Sequence, residues 1–424
     1  MSNLNLIARS LADLQSFLQS VVDTANFSLF PVKLSEQDDW RLENGALSHR
    51  TNGFFHVCGI QHQVTKKTNF VLYQPQSALT GLAFMVRDGQ VYVLLQARVE
   101  PGNPNVAQFG PTVQSTPANY LRLHGGKSSA CVDWFTHFKA GITPLGTSMQ
   151  LDLGCRYFQK SKFHNYVLLD EPVFADDTMI WASVPAVFSA LTLSHFLNAD
   201  LRSLLAVFDW SVFYAQQTLI PKGDERVLFN EQFISCQYTD WWHWRLAPLE
   251  TVEGIELNDN GIFTNDNSSI DVQMYRTLSS TREVFSWVQP LVRAKSKGQV
   301  RLLLRQDKDD LLCLVTIAEE FGISGGRTIL PTTVIYPGES ATLPELPPES
   351  ISHITFEQSD EGGRFIHHDS RYQLVYVNST SKADNQFWLS ITTLRQLMLS
   401  SNQVSFQLRC IFSVLLADLY PFAV

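Results

Sequence analysis

The sequence predicts an α+β protein made of two tandem homologous halves. Three observations carry this prediction. Short apolar runs joined by hairpin turns alternate with amphipathic helical stretches, which indicates mixed layers of sheet and helix. Trp181-Ala182-Ser183 and Leu201-Arg202 recur as Trp388-Leu389-Ser390 and Leu408-Arg409, at a constant offset of 207 positions. Glu100, Gly102, Pro111 and Thr112 recur as Glu320, Gly322, Pro331 and Thr332 at an offset of 220, and Gln74-Pro75 recurs as Gln289-Pro290 at 215. Offsets that drift in steps are what loop insertions leave in a duplicated domain. The halves are read as 1–220 and 221–424, with Pro221-Lys222-Gly223-Asp224-Glu225 as the connector.

The elements follow in order. Leu6, Leu11, Leu14, Phe17, Leu18 and Val21 share one face of a helix predicted over 5–22. Gly53 to Ile60 reads as a strand with a glycine near each end, and Asn69 to Pro75 as a strand stopped by proline. Residues 82–86 and 91–95 form a hairpin with Asp88-Gly89 at its turn. A helix is expected over 129–139, with Val132, Phe135 and Phe138 on one face, then a strand over 166–169 and helices over 183–196 and 200–214. Pro337 to Ser350, rich in Pro, Glu and Ser, is a long loop in the second half.

The chain has 424 residues, 45% of them hydrophobic and 17% charged, which is the composition of a globular protein with a sizeable core. A net charge of −9 argues against a nucleic-acid partner, because no basic surplus is available to meet phosphates. The six cysteines form no CxxC pair and no zinc spacing, so reduced thiols and a cytoplasmic setting are expected. The first thirty residues lack a basic start followed by an apolar block, and no run of about 18 apolar residues suggests a membrane span. Neither GxxxxGK[ST] nor GxGxxG occurs.

The densest polar segment is Leu94 to Gly126. It contains Gln96-Ala97-Arg98-Val99-Glu100-Pro101-Gly102-Asn103, then Pro111-Thr112-Val113-Gln114, then Asn119-Tyr120 and His124-Gly125-Gly126. Pro and Gly punctuate it, so most of it is loop, and loops held beside an apolar strand are where sites collect.

In the order and spacing of these runs the chain resembles the NDP-hexose 2,3-dehydratases of deoxysugar biosynthesis. The resemblance covers nearly the whole chain. It implies Nudix-like halves, each a mixed sheet flanked by helices, and a homodimer. It also implies a substrate that is a nucleotide-linked 4-keto-6-deoxyhexose. Water would leave across C2 and C3 to give a 3,4-diketo-2,6-dideoxyhexose, with a separate ketoreductase expected to consume that product. No metal and no redox cofactor is expected, since the chemistry needs only proton transfers. A metal-dependent pyrophosphohydrolase is disfavoured because no Arg-Glu-x-x-Glu-Glu pattern occurs. The alternative is a non-catalytic nucleotide-sugar sensor on the same duplicated fold.

On this resemblance the catalytic candidates are His124 and Glu100, as base and acid, and Tyr120, as a donor to the enolate oxygen. Gln96, Asn103, Gln114 and Asn119 are the candidates for sugar binding, as amides do not exchange protons near neutrality, and Thr112 and Gly125 are expected to bind substrate beside them. Arg98, Arg122, Arg156, Lys160 and Lys162 are expected to meet the diphosphate. Asn165 closes the run Lys160-Ser161-Lys162-Phe163-His164-Asn165, which matches a basic family run in part. Trp40, Phe55 and Tyr73 are candidates to stack on the nucleotide base. In the second copy Asn103 becomes Ile323 and Gln114 becomes Val334, while Glu100 persists as Glu320. The site is therefore expected on the first half, with a degenerate counterpart in the second.

Overall fold

The computed structural model describes residues 7–420 except 124, 128, 138, 174–175, 215–242, 266–268, 309, 324–326 and 349. The connector at 221–225 lies outside the described residues. Each half contains a large mixed sheet. The first has the strand order Ile7–Ala8, Met179–Ser183, Gln90–Val99, Ala78–Arg87, Ser161–Leu169, Ile142–Leu151. Ala107–Gly110 and Val113–Ser115 pair on either side of its central hairpin. The second has the order Arg327–Leu330, Asp310–Glu319, Gly298–Asp307, Asp369–Tyr376, Ile351–Ser359, with Thr333–Ile335 and Gln386–Ser390 added alongside.

Seven strands of one sheet correspond to the seven of the other, and Ile7–Ala8 of the first has no counterpart among the described residues. Ala78–Arg87 and Gln90–Val99 fall on Gly298–Asp307 and Asp310–Glu319 at the offset of 220 that the motifs showed. In each copy the first hairpin strand also pairs in parallel with a later strand, Ser161–Leu169 or Asp369–Tyr376. At the first hairpin, Asp88 and Gly89 both take positive φ, 52° and 74°, as a tight two-residue turn requires.

The halves are not separate in space. A smaller sheet in each half accepts a strand from the other. Phe27–Pro31 pairs antiparallel with Ile270–Ser279 of the second half, and Trp244–Ala247 pairs antiparallel with His56–His62 of the first. Two buried helices, Ala199–Val207 and Phe406–Phe412, pack against each other at the centre. Their equivalent arginines, Arg202 and Arg409, are fully buried. Arg202 donates to the carbonyls of Leu191 and Leu193 and, across the halves, to Gln358 at 2.8 Å. Arg409 donates to Ser203 at 2.8 Å and to the carbonyl of Leu151. The repeated Leu-Arg pair is therefore a stitch between the copies: a buried guanidinium must find acceptors, and each finds some in the opposite half.

Several helices are shorter than the periodicity predicts. The first spans Leu11–Thr24, capped by Ser10 in a capping box with Asp13. Among the described residues of the 129–139 stretch, only Val132–Thr136 is helical. The stretch predicted as 183–196 is helical over Val184–Ser189, and the next helix starts at Ala199 under the side-chain cap of Asn198 and ends at Val207. None of the helices among the described residues is long and apolar enough to cross a membrane.

Candidate active site

A cavity of about 300 Å³ opens where the two halves meet. From the first half it is lined by Asp39, Trp40, His49, Arg50, Phe54 and Phe55, by the Arg98-to-Pro101 turn, by Gln114 to Thr116 and Asn119, and by Lys160, Lys162 and Asp200. From the second half come Arg282, Glu283, Trp287, Gln289, Glu361, Gly363 and Arg364.

The turn is held from across the interface. The Gly102 amide donates to the Gly362 carbonyl at 2.7 Å, so Glu100 is set against the Glu361–Arg364 loop. Arg98 grips one oxygen of Glu100, Nε at 3.0 Å and the terminal nitrogen at 2.8 Å, and donates to Gln96 at 2.8 Å. Arg282 reaches the same oxygen at 3.5 Å. The other oxygen, Oε2, has no hydrogen-bond partner among the described residues although Glu100 is 3% exposed.

A second cluster surrounds Lys162. Its Nζ lies 2.6 Å from Asp200, 3.3 Å from Asp152 and 3.7 Å from Glu361. Burial opposes its charge, but the three carboxylates outweigh burial and raise its pKa. Burial likewise opposes the charge of Glu361, but Lys162, Arg364 and Lys160 outweigh it and hold that carboxyl low. Tyr157 donates to Glu361 at 3.0 Å, and Arg364 donates to Gln74.

Lys160 differs. It is buried and donates to Gln74 at 3.0 Å, and among the described residues no carboxylate forms an ion pair with it. Burial, together with the charge of Arg364, brings its pKa down to about 7. It is a cavity-lining amine that exchanges a proton near neutrality.

The sequence candidates divide. Trp40, Arg98, Glu100, Gln114, Asn119, Lys160 and Lys162 are brought together around the cavity. Gln114 accepts from Asn198 at 3.1 Å. His124 lies outside the described residues. Tyr120 sits on the short Pro117–Tyr120 helix, half-buried and outside the lining. Gly125 and Arg122 are exposed on the loop that follows, where Arg122 donates to the Gly126 carbonyl at 3.2 Å.

Five expectations of ligand contact are corrected. Thr112 is buried and donates to the Leu94 carbonyl at 2.6 Å while accepting from Ala83, so its hydroxyl ties strands together. Asn103 donates to the Arg98 carbonyl at 2.9 Å and closes its own turn. Arg156 points into the second half, donating to His368 at 2.9 Å and to the Pro337 carbonyl. Asn165 donates to the Phe163 carbonyl at 2.9 Å within its strand. Tyr73 packs with Ile60, Val71 and Phe158 in a small apolar cluster. Gln96 also stays outside the lining, as a support for Arg98.

Sequence reasoning missed the contribution of the second half. Arg364 is the repeat counterpart of Arg156, at an offset of 208, so aligning those two runs would have pointed to it. At that register Lys160 faces His368 and Lys162 faces Ser370. Lys160 and Lys162 thus have no lysine counterpart in the second copy.

A family profile for NDP-hexose 2,3-dehydratase matches residues 11–208 and 229–415. The chain is 27% identical over 391 residues to a dTDP-4-dehydro-6-deoxy-alpha-D-glucopyranose 2,3-dehydratase of Amycolatopsis orientalis, covering 86% of this chain and 81% of the relative. It is 25% identical to the protein of the same description from Saccharopolyspora spinosa, over 87% and 83% of the two chains. For that of Streptomyces violaceoruber the figures are 24%, over 90% and 91%.

Proposed function

The chain belongs to the NDP-hexose 2,3-dehydratase family, and from that premise we propose that it removes water across C2 and C3 of a dTDP-linked 4-keto-6-deoxyhexose. The 4-keto group acidifies the hydrogen on C3. A base takes that proton, the electron pair passes into the C4 oxygen as an enolate, and its return expels the C2 hydroxyl, which leaves as water with a proton supplied by an acid. The C2–C3 enol then takes a proton at C2 and becomes the 3,4-diketo-2,6-dideoxyhexose.

The observation that carries the assignment of roles is Lys160, a buried cavity amine whose pKa is brought to about 7. We assign it as the base for C3. Its ammonium, once formed, is the acid that assists the leaving hydroxyl, and a positioned group of matched pKa contributes roughly 10²–10⁴ in rate. Glu100, clamped by Arg98, receives a sugar hydroxyl on its unpartnered oxygen. Arg282 and Arg50 on the lining are the guanidinium groups for the diphosphate, and Trp40, Phe54 and Trp287 supply the aromatic wall for the base. Neither metal nor redox cofactor enters these steps. The same reading includes Nudix-like halves, a cytoplasmic homodimer and a ketoreductase that consumes the labile diketone.

Incubation with dTDP-4-keto-6-deoxyglucose in deuterated buffer containing a chelator tests it. The expected result is deuterium at C2 of a 2-deoxy product. Binding without C3 exchange and without product would overturn the catalytic reading in favour of a sensor. Turnover abolished by the chelator and restored by a divalent ion would overturn metal independence.

A further inference from the structure

The two copies place Thr116 and Tyr336 at the same point of the fold. Thr112 and Thr332 make the same pair of bonds: each hydroxyl donates to a hairpin carbonyl, Leu94 or Leu314, and accepts an amide, from Ala83 or Leu303. The strands Val113–Ser115 and Thr333–Ile335 then pair with the same hairpin strand in the same register. One residue further come Thr116 and Tyr336, each followed by a proline. Glu100 and Glu320 are matched as firmly. Each stands two residues before a glycine whose amide is seated on the other half, Gly102 on Gly362 at 2.7 Å and Gly322 on Gly154 at 2.8 Å.

In the second copy the tyrosine is long enough to reach the glutamate. Tyr336 Oη donates to Glu320 Oε1 at 2.6 Å. The carbonyl of Pro337 accepts from Arg156, the counterpart of Arg364. In the first copy Thr116 and Glu100 both line the open cavity, and Glu100 Oε1 is held by Arg98 and Arg282 instead of a phenol; among the described residues Oε2 of either glutamate has no partner.

We propose that Tyr336 is a built-in occupant of the second copy, its phenol standing where a ligand hydroxyl stands on Glu100, and that Thr116 is the residue that keeps the first copy open to a hexose hydroxyl. The identity of the ligand as a sugar nucleotide rests on the reading above, whereas the correspondence of the two positions does not. The size of residue 116 then sets how deeply the hexose enters, which makes it a specificity-determining position.

Thr116→Tyr and Thr116→Phe test this, with dTDP-glucose as the stable probe in calorimetric titration. Both are expected to weaken binding at least tenfold. A crystal structure of Thr116→Tyr is expected to show the new phenol within hydrogen-bond distance of Glu100, and that variant should melt above Thr116→Phe. Unchanged affinity, or a phenol turned away from Glu100, overturns the proposal. A second arm needs no folded Thr116 variant. Tyr336→Thr empties the seat on Glu320, so p-cresol should raise its melting temperature and leave the wild type unmoved, while turnover stays within twofold. No p-cresol shift, or lost turnover, overturns the proposal. Wild-type protein that ignores dTDP-glucose, with the Thr116→Tyr phenol on Glu100 and the Tyr336→Thr response to p-cresol both as described, would sink the substrate reading alone.

Discussion

Gly102 and Phe365 meet so closely that a Cβ on Gly102 would lie 1.6 Å from the Phe365 carbonyl oxygen. Gly322 stands in the same relation to Tyr157, at 1.7 Å. Each copy thus carries one glycine that lets its Glu-containing turn sit directly on the backbone of the other, and the cavity lies beside the first of these contacts.

Gly102→Ala should therefore separate the turn from the second half. Backbone cannot yield as the end of a flexible side chain can, and overpacking of this kind costs typically 1–3 kcal/mol, occasionally more. The expected outcome is a lowered unfolding midpoint in urea together with lost turnover. A variant of wild-type stability and activity would show that the contact does not hold Glu100 in place.

Lys160 gives a prediction in pH. If its neutral form is the base, kcat/KM rises with pH through about 7, where burial and Arg364 have brought its pKa. Lys160→Met should leave the fold intact, since it removes an amine that has one modest acceptor in Gln74, and should lower kcat by roughly 10²–10⁴. A Lys160→Met enzyme with the wild-type pH profile would remove this residue from the mechanism.

The fold was legible because its evidence is repetition, which survives in a few residues. Thr112 and Thr332 persist for their strand-tying hydroxyls, Gly102 and Gly322 for their closeness to backbone, and Arg202 and Arg409 for carbonyls they satisfy across the halves. The site was legible only on one side. Glu100, Lys160 and Lys162 sit in runs with a pattern, whereas Arg282, Glu361 and Arg364 reach the cavity through the exchanged contacts of the second half. The strand exchange itself, Phe27–Pro31 joining Ile270–Ser279 and Trp244–Ala247 joining His56–His62, left no signal, because a short strand reads alike whichever sheet it joins.

The second copy's Glu320 makes stability depend on pH. Burial raises its pKa from 4.5 to about 7, against a hydrogen bond from Tyr336 that lowers it. A carboxyl raised in the folded state binds its proton more tightly there than in the unfolded chain. Its contribution is therefore complete below about 4.5, is lost as pH rises towards about 7, and is flat above. Lys160 acts in the neighbouring window: its pKa falls from 10.5 to about 7, so stability falls as pH drops from 10.5 to about 7. Glu320→Gln should remove the lower slope, by an amount on the order of 1–3 kcal/mol, and leave the upper one. Unfolding midpoints collected at intervals between pH 4.5 and 10.5 would settle it, and an unchanged lower slope in Glu320→Gln would count against this assignment.

The two glutamates of the repeated turn also allow one chemical change to be made in two settings. Glu100→Gln removes the charge that balances the buried Arg98 and the nearby Arg282, and it changes a buried oxygen that has no partner among the described residues. Stripping one member from a buried ion pair costs roughly 3–5 kcal/mol, so melting temperature should fall, and kcat/KM should fall further than stability alone explains. Glu320→Gln changes a carboxyl that is hydrogen-bonded by Tyr336 and does not line the cavity, so turnover should stay within about twofold of wild type. Assaying both variants well below their melting temperatures separates the effects. If the two lost activity equally, the copies would be functionally alike, and the assignment of the chemistry to the cavity beside Glu100 would fail.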